Sequence, residues 1–135
     1  MGARHTATAA TVLAAALLAL SGCGPFGGES EEDKAGDTVT ELVEARNHGD
    51  FARVCELIAK SQLAKFEQAG TSCERALPKL AAAGSSTSVR IDEARVQGDR
   101  ATVDATVSRR GQGGETQTIL LVKEDGDWKV AEVGF

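Results

Sequence analysis

The sequence predicts an α+β domain with N-terminal helices packed on one face of a four-stranded antiparallel sheet. Apolar residues recur at helical spacing between Asp37 and Leu80 and alternate with a period of two from Thr87 onward. The helical half precedes the stranded half instead of alternating with it, the order that separates α+β from α/β architectures. At 135 residues the chain has room for one such domain.

The first helix is expected to start near Asp37. Thr38-x-x-Glu41 reads as a capping box, and Val39, Leu42, Val43 and Ala45 form an apolar stripe. Asn47-His48-Gly49 ends that helix, with Gly49 as its left-handed cap. Asp50 caps a second helix in which Phe51, Val54, Cys55 and Ile58 share a face, extended by Leu63 and Phe66. Thr71-x-x-Glu74 is a further capping box, opening a helix through Leu77 and Leu80 that Pro78 should kink or restart.

From Thr87 the period changes. Val89 and Ile91 are followed by Ala94 and Val96, so the alternation slips near Asp92-Glu93, as a β-bulge would make it do. Gly98-Asp99 turns the chain into a strand with alternating Ala101, Val103, Ala105 and Val107. "RRGQGGE" is a loose hairpin loop. Thr116–Glu124 carries apolar residues on both faces, which predicts a central strand covered on both sides. Asp125-Gly126 is a strong hairpin signal, and Trp128, Val130 and Val133 mark the last strand.

Residues 1–22 are expected to be a signal peptide. Arg4 supplies the positive start, and Ala7 to Leu20 is uncharged and rich in Ala and Leu. Fourteen such residues are short of the roughly 20 that a spanning helix needs. "LSGC", Leu20 to Cys23, resembles the bacterial lipobox. That resemblance implies a diacylglyceryl group on the Cys23 sulfur and cleavage that leaves Cys23 as the first residue, a chemistry that requires a nucleophilic thiolate. "MGARHT" also fits the loose myristoylation pattern, but on a segment removed during export that modification would serve nothing. Residues 24–36, "GPFGGESEEDKAG", then read as a flexible acidic tether following the lipidated Cys23, with the folded domain spanning 37–135. The expected address is the extracytoplasmic face of the cell membrane, by lipid anchor.

With Cys23 used as an anchor, Cys55 and Cys73 remain. An even pair in an exported chain favours a disulfide, with two buried free thiols as the alternative. The C-x-x-C spacing of redox enzymes is absent. The formal charge of −5 becomes −6 once Arg4 leaves with residues 1–22. An acidic exported domain argues against nucleic acid as a partner and against direct adhesion to an anionic membrane.

"LVKEDGDWKVAEVGF" resembles the closing hairpin of the nuclear-transport-factor-2-like superfamily, the cystatin-like α+β cone. "EARNHGDFARVCELIAKSQLAKF" with "TSCERAL" is similar to its branch of small exported actinobacterial lipoproteins. The resemblance implies that the sheet is curved, that Cys55 and Cys73 pair, and that the cone holds a pocket. Homodimerisation through the sheet is a further expectation it brings. Enzymes of the superfamily use acid–base pairs such as Asp with Tyr or His. This chain has no Tyr, and outside the signal segment its one His is His48, in a capping turn.

No metal-ligand spacing and no phosphate-cradling loop is present in the sequence, so no metal, cofactor or catalytic residue is expected. Asp104 lies opposite Val103 and Ala105, and exposure accounts for it. Strict alternation places Glu132 with Trp128 and Val130 on the core or pocket side, where a carboxylate would be a raised-pKa base or a ligand contact. A bulge at Ala131-Glu132 would turn it outward instead, and is the favoured reading. Arg109 and Arg110 flank the "GQGG" tip as solvated charges or as contacts to an anionic partner. The resulting expectation is a membrane-anchored, non-catalytic binding or interaction domain for a protein or a small apolar ligand. A pocket-bearing carrier or enzyme for a small apolar molecule is the alternative.

Overall fold

The computed structural model describes residues 27–81 and 86–133, so the signal segment and Cys23 lie outside the described residues. Among the described residues four helices, α1 (Glu31–His48), α2 (Phe51–Leu57), α3 (Lys60–Gln68) and α4 (Cys73–Leu80), precede four strands, β1 (Thr87–Gln97), β2 (Arg100–Arg109), β3 (Glu115–Glu124) and β4 (Asp127–Val133). The strands form one antiparallel meander in the order β1-β2-β3-β4.

The first helix starts at Glu31, six residues before the expected boundary. Ser30 caps it: its hydroxyl accepts the Asp33 N–H at 3.1 Å while the Asp33 carboxylate accepts the Ser30 N–H at 3.3 Å. Glu31, Glu32 and Asp33 then lie in the first turn, where the helix dipole favours negative charge. The acidic run assigned to the tether is therefore a helix start, and Ala35 and Gly36 behind it are buried. Thr38, the expected cap, sits inside the helix and donates its hydroxyl to the Lys34 carbonyl. Gly49 closes the helix at φ 72°, as expected.

The expected second helix is two helices. At Ile58 the chain is extended and forms a parallel bridge to Val130, and the Ala59 N–H donates to the Val130 carbonyl at 2.9 Å. This junction covers part of the exposed edge of β4. Ala59 has no side chain with which to cap α3; the Glu124 carboxylate, at the end of β3, accepts the Lys60 N–H instead. Thr71-x-x-Glu74 makes no capping box: Ser72 is the N-cap residue of α4 and provides no side-chain bond. The helix continues two residues past Pro78 and stops at Leu80.

The core lies between α1 and the sheet: Ala35 and Val39 meet Val103, Ala105, Leu121 and Trp128. Both predicted phase slips are present. Register shifts between Ile91 and Glu93, leaving Asp92 extra, and on β4 Val130 pairs with Leu121 while Glu132 pairs with Leu120, leaving Ala131 extra. β3 is central but covered on one face only: Leu121 is buried while Leu120 is 39% exposed. Its outward apolar residues sit on the solvent side of the sheet because α1, α2 and α3 pack against the sheet on the other side, with α4 seated on α2 and α3. At the start of β1 the Asn47 side chain stands in for a strand neighbour. Its amide donates to the Thr87 carbonyl at 2.6 Å and its carbonyl accepts the Thr87 N–H at 3.0 Å.

Candidate binding groove

Helices α2–α4 and the end of α1 meet β4 around an apolar groove of about 510 Å³. Val130 and Ala131 line it from β4, Leu42 from α1, Phe51 and Val54 from α2, Phe66 from α3, and Leu77 and Leu80 from α4. Leu80 is 70% exposed, an apolar side chain held in solvent at the mouth.

Several ties hold these walls. Cys55 and Cys73 form a disulfide with Cα atoms 5.9 Å apart, joining α2 to α4. The Ile58–Val130 bridge and the Glu124 cap seat the α2–α3 junction on the sheet. Lys60 pairs with Asp125 at 2.8 Å, and this pairing holds the Asp125 carboxyl below its usual range. Gln62 donates its side-chain amide to the Ala131 carbonyl, and Lys129 reaches the Glu56 carbonyl at 2.8 Å.

The rim is charged. Arg46 from the last turn of α1, Lys65 from α3 and Arg109 from the end of β2 border the groove, facing one carboxylate, Glu132. The described lining holds no hydroxyl, thiol or imidazole. Among the described residues no group of three or more His, Cys, Asp or Glu is placed to hold a metal ion. No described helix is long and apolar enough to cross a membrane.

The three candidate pocket residues separate. Val130 lines the groove and is 5% exposed. Trp128 belongs to the core, with its indole N–H donating to Glu31 at 3.0 Å. Glu132 is turned outward by the Ala131 bulge and stands exposed on the rim. Asp104 lies on the outer sheet face, where the Thr118 hydroxyl at 2.7 Å and Arg95 at 3.0 Å lower its pKa. His48 and Arg110 are exposed, and Arg109 is on the groove rim. The sequence reading missed Phe51, Phe66, Leu77 and Leu80 as a common surface. Their signal was an excess of helical apolar positions over what a four-stranded sheet covers.

The family model for the low molecular weight antigen MTB12, C-terminal domain, matches residues 55–134. The chain belongs to this family. Its MTB12 match begins at the first disulfide cysteine and takes in most of the groove and the whole sheet. No curated protein matches the chain. Among solved structures, a provisionally named NTF2-like transpeptidase from Campylobacter jejuni aligns over 72% of this chain and 96% of its own, with 19% identity and a TM-score of 0.53. An NTF2-like protein of unknown function from Cytophaga hutchinsonii aligns over 75% of this chain and 88% of its own, with 13% identity and a TM-score of 0.47. A de novo designed protein with a curved β-sheet covers 73% of this chain and 95% of its own, at 18% identity and a TM-score of 0.49. The Campylobacter jejuni alignment shows the fold of the MTB12 domain: an NTF2-like α+β cone.

Proposed function

We propose that this protein is an exported lipoprotein whose NTF2-like domain binds an apolar ligand in the groove between its helices and β4, without catalysing a reaction. The observation that carries the reading is the groove itself. Its volume of about 510 Å³ falls in the range of small-molecule sites, and aromatic and aliphatic side chains from four helices and one strand line it. A transpeptidase reaction, the one named for the Campylobacter jejuni relative, needs a nucleophile. The described lining offers no thiol, hydroxyl or imidazole, which favours binding over acyl transfer.

The anchor rests on the lipobox-like "LSGC" ending at Cys23. The route of the chain is compatible with it. Glu31, at the start of α1, is tied to Lys123 and Trp128 at the β3–β4 hairpin, whereas Leu42 and Arg46 reach the groove from the other end of the same helix. At a 1.5 Å rise per residue, those ends are ~20 Å apart. An anchored chain would enter the domain at the end remote from the groove and present the groove outward.

Leu80→Asp tests the site. Because Leu80 is exposed, the substitution leaves the core intact, and it should weaken binding of the neutral dye Nile red with the melting temperature unchanged. Unaltered dye binding would contradict the groove as the site.

A further inference from the structure

We propose that the occupant of the groove is a single-chain anionic amphiphile of the fatty-acid type, its hydrocarbon along Phe51, Phe66, Leu77 and Leu80 and its carboxylate among Arg46, Lys65 and Arg109. This inference rests on the groove being a binding site and adds the chemistry of what fills it.

The charge distribution leads there. The chain is acidic overall, at −5, yet the groove rim presents three cations against the single carboxylate of Glu132. Lys34, Arg53, Lys60, Arg90, Arg95 and Lys123 are each paired with a carboxylate, whereas among the described residues Arg46, Lys65 and Arg109, like Arg75, Lys79, Arg100, Arg110 and Lys129, have no such partner. What sets the three apart is their place on one apolar groove. They come from three separate elements, the last turn of α1, α3 and the end of β2, and converge on one opening. Long cationic side chains lay their stems on apolar surface and keep the charged head in water. That arrangement lines the groove with hydrocarbon below and positive charge above.

Each alternative occupant leaves part of this surface unmatched. A wholly apolar molecule leaves the cations without a counter-charge, and a compact polar anion leaves Leu80 and Phe66 facing water. A peptide would bring backbone N–H and C=O groups against walls that have few partners for them, since the Gln62 amide is engaged by Ala131 and the Val130 carbonyl by Ala59. A fatty acid needs hydrocarbon along its length and positive charge at one end only.

The test compares three head groups on one chain length. The protein is taken as an exporting bacterial host processes it, with Cys23→Ser so that no detergent is present, and Nile red is displaced by palmitate, hexadecanol or hexadecylamine. Exposed charge pairs are individually weak, so three together should favour palmitate over the amine by about tenfold, with the alcohol between. The triple variant Arg46→Gln, Lys65→Gln, Arg109→Gln should bring the three ligands to similar affinities. The preference is read as the ratio of the three displacement constants on one and the same variant, and an unchanged melting temperature of these exposed substitutions shows that its loss is not loss of the fold. If the alcohol or amine binds as tightly as palmitate, or palmitate fails to displace the dye, the anionic-amphiphile proposal is overturned while the groove stands. If an acidic amphipathic peptide displaces the dye more tightly than palmitate, the occupant is a protein segment and the proposal is equally overturned. If Nile red itself does not bind, the groove reading falls and this inference with it.

Discussion

Glu31 accepts a hydrogen bond from the indole N–H of Trp128 at 3.0 Å, across 97 residues of sequence. The same carboxylate oxygen takes the Lys123 ammonium at 2.6 Å, and Lys123 in turn lies 5.5 Å from the center of the Trp128 ring. The first turn of α1 is thereby locked to the closing hairpin of the sheet. This contact satisfies the one polar atom of a tryptophan that is otherwise in the core.

The hydrogen bond from Lys123, and after it that from Lys34, hold the Glu31 carboxyl down at about 2, against 4.5 for a free glutamate. A carboxylate with a depressed pKa in the folded state stabilises it above the unfolded value and loses that contribution as pH falls through the folded value. Thermal unfolding of the wild type should therefore decline more steeply between pH 5 and pH 2 than that of Glu31→Gln. Asp104 and Asp125, also lowered, titrate in both proteins and cancel in the difference. Parallel curves would show that Glu31 is not coupled to folding.

The Cys55–Cys73 bridge closes a loop with a sequence separation of 18. In the chain-entropy account such a loop stabilises by about 3 kcal/mol. Urea unfolding of the Cys55→Ala/Cys73→Ala double variant should show a loss of that order, and the intact mass should rise by two hydrogens on reduction. An unchanged mass would remove the bridge.

Much of the fold was legible in the residues, and the part that was not has a physical cause. Both bulges were visible as slips in alternation, at Asp92 and at Ala131-Glu132, because a strand's period of two makes one extra residue conspicuous. The Gly49 cap and the Asp125-Gly126 turn were legible because each demands positive φ, observed at 72°, 54° and 91°. The start of α1 was not. An acidic Gly- and Ser-containing run has the composition of a tether, which masks the local Ser30–Asp33 capping box, and Lys123 and Trp128 then hold that first turn from the sheet. The break at Ile58-Ala59 was hidden for a similar reason, since an apolar helical pattern continues through it and the bridge to Val130 lies 72 residues away. The groove is legible in the residues only as more helical apolar positions than a four-stranded sheet covers, and which of them meet is set by the packing of α2–α4 against β4.

Leu121 is 1% exposed and sits in the central strand against α1 and the neighboring strands. Leu121→Ala should cost about 2–5 kcal/mol in urea unfolding, the range for truncating a leucine in a core that relaxes only partly. Its neighbor Leu120 is 39% exposed on the outer face, so Leu120→Ala should change stability far less. Equal losses would mean that both faces of β3 are covered.

Gly114 enters β3 where a Cβ would stand 2.5 Å from Thr106 Cγ2 and 2.7 Å from Ser108 Oγ. Thr106 is stiff at χ1 and cannot swing aside cheaply. Gly114→Ala should destabilise by about 1–3 kcal/mol, as overpacking does. A neutral result in thermal unfolding would show that the loop yields.

Cys23→Ala should move the protein from the membrane fraction to the soluble one in cell fractionation. Retention in the membrane would contradict the lipid anchor and leave the groove untouched.

The most direct measurement of the central claim is a map of amide chemical shifts as palmitate is added to the Cys23→Ser protein. Binding in the groove predicts that the shifts cluster on Phe66, Leu77, Leu80, Arg109 and Ala131, with the outer sheet face at Thr102, Leu120 and Val122 unmoved. Shifts centered on that outer face, or none at saturating ligand, would contradict it.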